Sequence, residues 1–251
     1  MENDKFVSIA IDGPAAAGKT TLAKSLAKKL RFTYVDTGAM YRSIALFARL
    51  YGIEATDTLA AKEILDSLSF DVISDNGVQR IYIDGKETND NELRTPEISL
   101  AASRISVLPC VRAFLLDKQR VFAKNCDVIM EGRDIGSVVL PDAVVKFYLT
   151  ADLLVRAQRR YRELRVTDPD VDPVQVAEEL QRRDYQDAHR KEAPLVRCED
   201  AYLIDSTKLN AEDVLDQAIL RISCALMKKR KTINRNGGFI NGILYMDRRQ
   251  T

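Results

Sequence analysis

The segment Gly13-Pro14-Ala15-Ala16-Ala17-Gly18-Lys19-Thr20 limits what this chain can fold into more than any other part of it. It fits the pattern G-x-x-x-x-G-K-[ST], in which the backbone N–H groups of a glycine-rich loop surround phosphate oxygens. An apolar run rich in β-branched residues precedes it at 6–11, and leucines recur every four residues at 22–30. Strand, loop and helix in this order place the positive end of a helix dipole, the charge of Lys19 and the hydroxyl of Thr20 around one anion. A glycine-rich turn that binds nothing would need neither Lys19 nor Thr20 beside its second glycine. The segment therefore predicts a site for a nucleoside triphosphate with magnesium.

Short apolar strands and amphipathic helical segments alternate along most of the chain. The predicted strands lie near 6–11, 32–36, 126–130, 144–149 and 201–204. The predicted helices lie near 21–30, 37–51, 58–68, 95–106, 109–124, 151–165, 173–191 and 210–228. Because helices connect the strands, we predict an α/β fold with a five-stranded, mostly parallel central sheet and helices on both faces. Ligands of such sheets bind beyond the carboxyl ends of the strands, where the glycine loop, Asp36-Thr37 and the segment 131–134 are found.

A change of pattern interrupts this alternation after the third helix. Strand-like segments at 69–74 and 78–83 flank Asn76-Gly77, a dipeptide that suits a tight hairpin turn. Residues 86–88 follow a second turn and are suited to a third strand. We therefore predict a small antiparallel β lobe inserted in the α/β chain.

Arginines are concentrated on the two predicted helices at 151–165 and 173–191, which a short polar segment joins. They are Arg156, Arg159, Arg160, Arg162, Arg165, Arg182, Arg183 and Arg190. Phosphoryl transfer between two nucleotides brings many negative charges to one place, and the planar guanidinium of arginine binds phosphate through paired hydrogen bonds. Ion pairs with neighbouring glutamates account for some of these arginines, but not for such a cluster beside a phosphate loop. We predict a helical lid over the reaction, in which Arg156 and Arg160 share a helix face and act on the transferred phosphoryl group.

The segment Glu131-Gly132-Arg133-Asp134 falls at the end of a predicted strand. A carboxylate there can orient water bound to magnesium, an arginine can bind a phosphate, and Asp134 can accept a hydrogen bond from the exocyclic amine of a base. A turn with a surface ion pair is the alternative. For the metal we predict a direct contact with Thr20 and contacts through water with Asp36 or Glu131.

Composition argues against several other classes of protein. A net charge of +1 gives no overall field that would attract nucleic acid or a membrane surface. Four widely spaced cysteines form no C-x-x-C pair, which argues against zinc and disulfides, and the single histidine, His189, excludes mechanisms that need two. No apolar run approaches the roughly 20 residues of a membrane span, and no signal-peptide pattern precedes the first strand. We expect a cytoplasmic monomer that binds neither membrane nor nucleic acid.

The sequence after about 228 has a different character. The basic run Lys228-Lys229-Arg230-Lys231 precedes a short apolar patch at 239–245. One interpretation is a surface for nucleic acid or another polyanion, and the other is a solvated helix end followed by a loosely ordered tail. We favour the second, because cations suit the C-terminal end of a helix.

Together these motifs resemble those of the bacterial cytidylate kinases, over a length from Val7 to about Ile222. The resemblance is carried by Ile11-Asp12-Gly13-Pro14 with the loop, Asp36-Thr37-Gly38-Ala39-Met40-Tyr41-Arg42, Ile98-Ser99-Leu100-Ala101-Ala102-Ser103, Val111-Arg112, Glu131-Gly132-Arg133-Asp134-Ile135-Gly136, Arg183-Asp184 with Asp187 and Arg190, and Ala193-Pro194-Leu195. Adenylate kinases share the loop but lack the second and fifth of these segments. The chain departs from the family in its loop alanines at 15–17, in Glu131, where many members have Asp, and in the tail.

The resemblance implies a P-loop kinase fold that transfers the γ-phosphoryl group of ATP to CMP or dCMP with Mg²⁺. It assigns the ATP phosphates to Gly13, Pro14, Ala15, Ala16, Ala17, Gly18, Lys19, Thr20 and Thr21. It assigns the acceptor phosphate to Arg42, Arg133 and Arg190, the acceptor sugar to Thr37, Arg183 and Asp187, and the cytosine edge to Ser103, Arg112 and Asp134. Uracil lacks the 4-amino donor that a carboxylate at 134 would accept from, so such a site would discriminate against it. Lys19, Arg133, Arg190 and the lid arginines would then carry most of the rate.

We predict one kinase unit over 1–228, followed by the tail at 229–251. Its core covers about 1–36, 125–150 and 195–228, with a nucleoside-monophosphate-binding insertion at about 37–124 and a lid at about 151–194. Two alternatives stay open. One is a phosphate-loop kinase for a different small molecule. The other is a nucleotide switch or a nucleic-acid binder that acts through the tail, although the chain has no Asn-Lys-x-Asp motif for guanine.

Overall fold

The computed structural model of the chain describes residues 6–52 and 58–235. The strands are β1 (Ser8–Asp12), β2 (Thr33–Asp36), β3 (Phe70–Asp75), β4 (Val78–Ile83), β5 (Lys86–Glu87), β6 (Val128–Gly132), β7 (Val145–Thr150) and β8 (Tyr202–Asp205). The helices are α1 (Lys19–Leu30), α2 (Thr37–Leu50), α3 (Thr58–Ser67), α4 (Asp90–Leu93), α5 (Pro96–Ile105), α6 (Pro109–Asn125), α7 (Leu153–Leu164), α8 (Pro173–His189) and α9 (Ala211–Arg235). A π-helical turn at Ile135–Val139 follows β6. Neither α4 nor this turn is predicted from the sequence, because four or five residues are too few to show a helical period.

A parallel sheet forms the centre of the fold, with five strands in the order β2-β6-β1-β7-β8. This confirms the predicted five-stranded parallel arrangement. The strand count needs a correction, since the sheet of the described residues has eight strands. Strand β4 pairs in parallel with β2, where Tyr34 lies opposite Val78, and carries β3 and β5 as antiparallel neighbours. The inserted hairpin therefore extends the central sheet at its edge.

The hairpin turn between β3 and β4 has the geometry that its dipeptide predicts. Asp75 pairs with Val78, so only two residues make the turn. Asn76 and Gly77 both adopt positive φ, at 52° and 78°. Asparagine and glycine tolerate this region better than other residues, which explains why this dipeptide fixes the register of the hairpin.

Helices pack on both faces of the sheet, as predicted. On one face α1 and α9 contribute Leu26 and Ile222 to an apolar cluster. On the other face α2 and α6 contribute Met40 and Leu115 to a second one. All four side chains are fully buried, and burying each one stabilises the fold by about 1.5–3 kcal/mol. The two clusters hold the carboxyl ends of the strands in fixed relative positions.

Helix α9 is longer than predicted and ends at Arg235. The basic run that starts at Lys228 therefore lies within its last turns, and the apolar patch at 239–245 lies outside the described residues. In the part of the chain that the structure describes, no single helix is long and apolar enough to cross a membrane. The helices α5 and α6, bent by 100°, meet that test only when they are counted together.

Candidate functional site

A cleft of about 1180 Å³ crosses the carboxyl ends of the central strands. The glycine loop lines one part of it from Ala15 to Thr21. The ends of β2 and β6, the helix α5 and the lid helices α7 and α8 line the rest. Gly13 and Pro14, which the resemblance also assigns to ATP, do not line the cleft. They contact the loop on the side away from the cleft, where Gly13 packs against the backbone of Leu149 and Pro14 accepts from Lys19.

The glycine loop has a geometry that requires its first glycine. A Cβ atom at Gly13 would lie 2.0 Å from the carbonyl oxygen of Leu149, and the φ angle there is 148°. The ammonium group of Lys19 donates to the carbonyl oxygen of Pro14 at 2.6 Å. Burial and the nearby charge of Arg133 lower the pKa of Lys19 to about 7. An anion beside Lys19 would favour its charged form.

The second part of the cleft begins where β2 ends. Asp36 caps α2 by accepting from the N–H of Ala39 at 2.9 Å, and it forms an ion pair with Arg42 at 2.9 Å. Burial alone would raise the pKa of Asp36, but Arg42 and this N–H hold it below its usual value. The hydroxyl of Thr37 donates to the carbonyl oxygen of Glu131 at 2.7 Å and so joins β2 to β6.

Acidic residues hold the arginines of this second part in place. Arg133 donates to Asp187 at 2.8 Å, and Arg112 forms a hydrogen-bonded ion pair with Asp134. Asp134 also lies 3.2 Å from Arg190. Arg112 itself does not line the cleft. It contacts the site through Asp134, so the structure places it beside the predicted base-contacting residue.

Several buried donors in the cleft make no well-aligned hydrogen bond within the protein, including the Nη2 atom of Arg190 in its 3.2 Å ion pair with Asp134. Among the described residues, the Nε atoms of Arg42 and Arg183, the Nη2 atom of Arg190 and the hydroxyl of Ser103 have no hydrogen bond. All four residues line the cleft. A buried polar group left without a partner costs roughly 1–3 kcal/mol, so this group of donors indicates a ligand rich in oxygen atoms.

The charge balance of the cleft also indicates an anionic ligand. Nine lysine or arginine residues and five aspartate or glutamate residues of the described chain line it. Burial and the charge of Arg133 lower the pKa of Arg183 to about 10, which shows how closely these cations are grouped. Such an excess of positive charge attracts anions. Its members include Lys19 of the glycine loop and Arg133 at the end of β6.

The residues near Thr20 fit a magnesium ion that takes most of its ligands from phosphates and water. No group of three or more His, Cys, Asp and Glu side chains that could hold a metal occurs in the described residues. The carboxylate of Glu131 is 5% exposed and accepts from the hydroxyl of Tyr34 at 2.6 Å. Burial and the charge of Asp36 raise the pKa of Glu131, while Lys19 and Thr20 act in the opposite direction. Because Asp36 is committed to Arg42, Glu131 is the better placed of the two predicted carboxylates.

The lid arginines are arranged differently from the predicted pair. Arg160 lines the cleft and forms an ion pair with Glu163 at 3.1 Å. Arg156 does not line it. This side chain is 7% exposed, and its Nη1 atom donates to Asp184 at 2.6 Å and to the carbonyl oxygen of Ala15 at 3.2 Å. Arg156 thus ties the lid to the glycine loop.

Three arginines to which the sequence assigns no individual role also line the cleft, namely Arg94, Arg159 and Arg162. Arg94 lies 3.5 Å from Asp36, and Arg159 donates to the hydroxyl and the carbonyl oxygen of Ser206. Arg159 belongs to the arginine-rich helix, which was a usable signal. Nothing near Arg94 in the sequence indicates its place. His189 stacks on Tyr185, with the ring centroids 4.0 Å apart.

This chain is similar to known proteins in sequence and overlaps others in fold. A family model described as cytidylate kinase matches residues 9–223. The cytidylate kinase of Caldanaerobacter subterraneus subsp. tengcongensis is 47% identical over 211 residues, which cover 84% of this chain and 92% of the relative. That of Alkaliphilus oremlandii is 43% identical over 215 residues, which cover 86% and 97%. A gluconokinase structure from Sinorhizobium meliloti overlaps 93% of this chain and 99% of its own at a TM-score of 0.45 and 10% identity.

Proposed function

This chain belongs to the cytidylate kinase family, and on that premise we propose how its cleft transfers the γ-phosphoryl group of ATP to CMP or dCMP. The observation that carries the proposal is the pairing of two anion sites in one cleft. The glycine loop lines one of these sites, and Arg42, Arg133 and Arg190 line the other.

We assign the donor phosphates to the loop from Ala15 to Thr21, with Lys19 as the charged contact. The inward-pointing N–H groups of the loop and the start of α1 suit three phosphates in a row. Arg156 supports this site from behind through the carbonyl oxygen of Ala15. Arg160, on the cleft side of the lid, is the lid residue best placed to meet the transferred group.

We assign the acceptor phosphate to Arg42, Arg133 and Arg190. The Nε atom of Arg42 supports this assignment, since it has no hydrogen bond within the described residues and a phosphate oxygen would supply one. The Nη2 atom of Arg190 faces Asp134 without an aligned hydrogen bond, so it too can donate to a phosphate. Thr37, Arg183 and Asp187 line the cleft beside these arginines and are our candidates for the sugar.

The cytosine edge is assigned to Asp134, Arg112 and Ser103. Asp134 is 6% exposed, forms ion pairs with Arg112 and Arg190, and can accept from the 4-amino group. Ser103 offers an unpartnered buried hydroxyl on α5. A buried carboxylate that loses its donor partner discriminates strongly, which accounts for a preference against uracil.

For the cofactor we propose Mg²⁺, with the hydroxyl of Thr20 as a direct ligand and Glu131 as a contact through water. When bound, the ion would help to neutralise the negative charge of the donor phosphates. The protein itself aligns the two phosphates, excludes water with the lid and neutralises their charge. No proton acceptor of unusual basicity is required, because phosphoryl transfer depends mostly on position and electrostatics. We further propose a cytoplasmic monomer with no membrane or nucleic-acid partner.

The test is ADP release, measured by a coupled assay with CMP, dCMP, UMP and AMP side by side. We expect kcat/KM for CMP or dCMP to exceed that for UMP and AMP by at least tenfold. In the Asp134→Ala variant the ratio of CMP to UMP should fall by about tenfold or more. A different preferred acceptor would assign the cleft to another small-molecule kinase. ADP release that is slow and independent of any acceptor would identify a nucleotide switch.

A further inference from the structure

The π-helical turn at Ile135–Val139 begins directly after Arg133 and Asp134, and a charged side chain outside the cleft holds its first end. The carboxylate of Asp12 accepts from the N–H of Ile135 at 2.8 Å and from the N–H of Gly136 at 2.7 Å. These N–H groups start the turn and have no partner within it. Asp12 is 4% exposed and does not line the cleft.

A second charged side chain holds the other end of the turn. Arg120 on α6 donates from Nε to the carbonyl oxygen of Val139 at 3.0 Å and from Nη2 to that of Val138 at 2.8 Å. An acid at the first N–H groups and a base at the last carbonyl groups is the arrangement that a helical dipole favours. Arg120 does not line the cleft either.

Backbone hydrogen bonds connect the turn to Asp134. The carbonyl oxygen of Asp134 accepts from the N–H groups of Val138 at 2.9 Å and Val139 at 3.2 Å. The same two residues therefore bond to Asp134 through nitrogen and to Arg120 through oxygen. A displacement of their carbonyl groups would move the residue that we assign to the cytosine edge.

Helix α6 contacts the site at two points. Arg112 pairs with the side chain of Asp134, and Arg120, about 12 Å further along the helix, holds the turn that carries Asp134. On the opposite side there is little free space, since a Cβ atom at Gly136 would lie 3.0 Å from Cδ of Lys146. The turn is thus clamped between β1, β7 and α6.

We propose that Asp12 and Arg120 are positioning residues that set Asp134 against the acceptor base by clamping the two ends of the π-helical turn. The inference rests on the proposed role of Asp134. Base selectivity would then depend on two charged residues that touch neither nucleotide. The chemical group that they serve is the 4-amino edge of a cytosine nucleotide.

The experiment compares Arg120→Met with Arg120→Lys, and uses Lys124→Met as a matched control. Lys124 is an exposed residue on the same helix and loses the same charge. In Arg120→Met we expect the ratio of kcat/KM for CMP to kcat/KM for UMP to fall by roughly 10- to 100-fold, because small displacements of a positioned group have effects of this size. Most of this fall should come from a higher KM for CMP. KM for ATP should stay within twofold. Arg120→Lys, which can still donate to one carbonyl, should recover most of the ratio, and Lys124→Met should keep all of it.

Two outcomes would overturn the proposal. One is a folded Arg120→Met protein with unchanged selectivity, and the other is an equal loss with CMP and UMP that Arg120→Lys does not restore. If Arg120→Met does not fold, Arg120→Gln gives the same comparison with a shorter polar side chain. Asp134→Ala is measured in parallel. If it leaves the CMP to UMP ratio intact, the proposed base contact itself fails, whereas a loss there with no loss at Arg120 rejects the clamp alone.

Discussion

Lys19 is a buried amine, with only 6% of the residue exposed to water. Its side chain has one hydrogen bond, to the carbonyl oxygen of Pro14, and burial lowers its pKa to about 7. A buried cation of this kind is expected where an anionic ligand compensates the loss of water. We therefore expect Lys19 to contribute more to the reaction than to the stability of the fold.

Lys19→Met should lower kcat by roughly 100- to 1000-fold, the usual effect of removing one group that stabilises transition-state charge. Methionine keeps the volume of the side chain, so Tm should change by only a few degrees. The matched control is Lys28→Met, at an exposed position of the same helix. Steady-state ADP release and a thermal melt check both values. Turnover within threefold of the unchanged protein would remove Lys19 from the mechanism.

Single residues could be predicted where a motif fixes their place next to a strand. Lys19, Arg133 and Asp134 line the cleft, as their positions after β1 and within the turn after β6 suggest. The positions of the lid arginines relative to the cleft could not be predicted in the same way. Arg156 and Arg160 were chosen by helical spacing, but the rotation of α7 is set by packing on the glycine loop and α8. That packing turns Arg156 inward to Asp184 and leaves Arg160 in the cleft. The catalytic role of Arg156 stays a prediction.

At the scale of elements, the end of β1 joins the glycine loop to the π-helical turn. Asp12 is the residue at this joint, and burial raises its pKa from 3.8 to about 6. The N–H groups of Gly136 and Ile135 oppose this rise, and the charge of Asp134 adds to it. The folded state therefore binds this proton more tightly than the unfolded state. The stabilisation that comes from protonated Asp12 is therefore fully present below pH 4, and it is lost as the pH rises through about 6.

Asp12→Asn removes this titration and so isolates it. We expect the free energy of unfolding of the unchanged protein, relative to Asp12→Asn, to fall by about 2–3 kcal/mol between pH 4 and pH 7. Urea unfolding of both proteins at four pH values measures it, and other titrating groups cancel in the difference. A constant difference over this range would show that Asp12 keeps its ordinary pKa.

Most elements could be predicted from period and turn chemistry, but their partners could not. The hairpin 69–83 was predicted with its turn, whereas its attachment to the central sheet depends on one pair, Tyr34 and Val78, that no local pattern signals. The length of α9 was underestimated because its last turns carry the basic run instead of an apolar stripe. The π-helical turn has no sequence period at all.

At the scale of the whole molecule, the cleft joins segments that are far apart in the chain. The loop at 15–21, the segment 131–134 and three residues near the end of α8 (Arg183, Asp187 and Arg190) all line one space. The sequence motifs predict each part separately, and only the fold brings them within one cleft. The central claim is that this cleft holds two nucleotides at once, with the donor phosphates on the loop and the acceptor phosphate on the arginines.

The most direct test uses a single molecule that fills both sites, an adenosine and a cytidine joined through five phosphates. The account predicts competitive inhibition against ATP and also against CMP, with an affinity on the order of 100-fold above that of either nucleotide, because the second site is bound intramolecularly. Lys19→Met and Arg133→Met should each weaken it. Inhibition that is competitive against only one of the two substrates would contradict the account, because the donor and the acceptor would then not share one cleft.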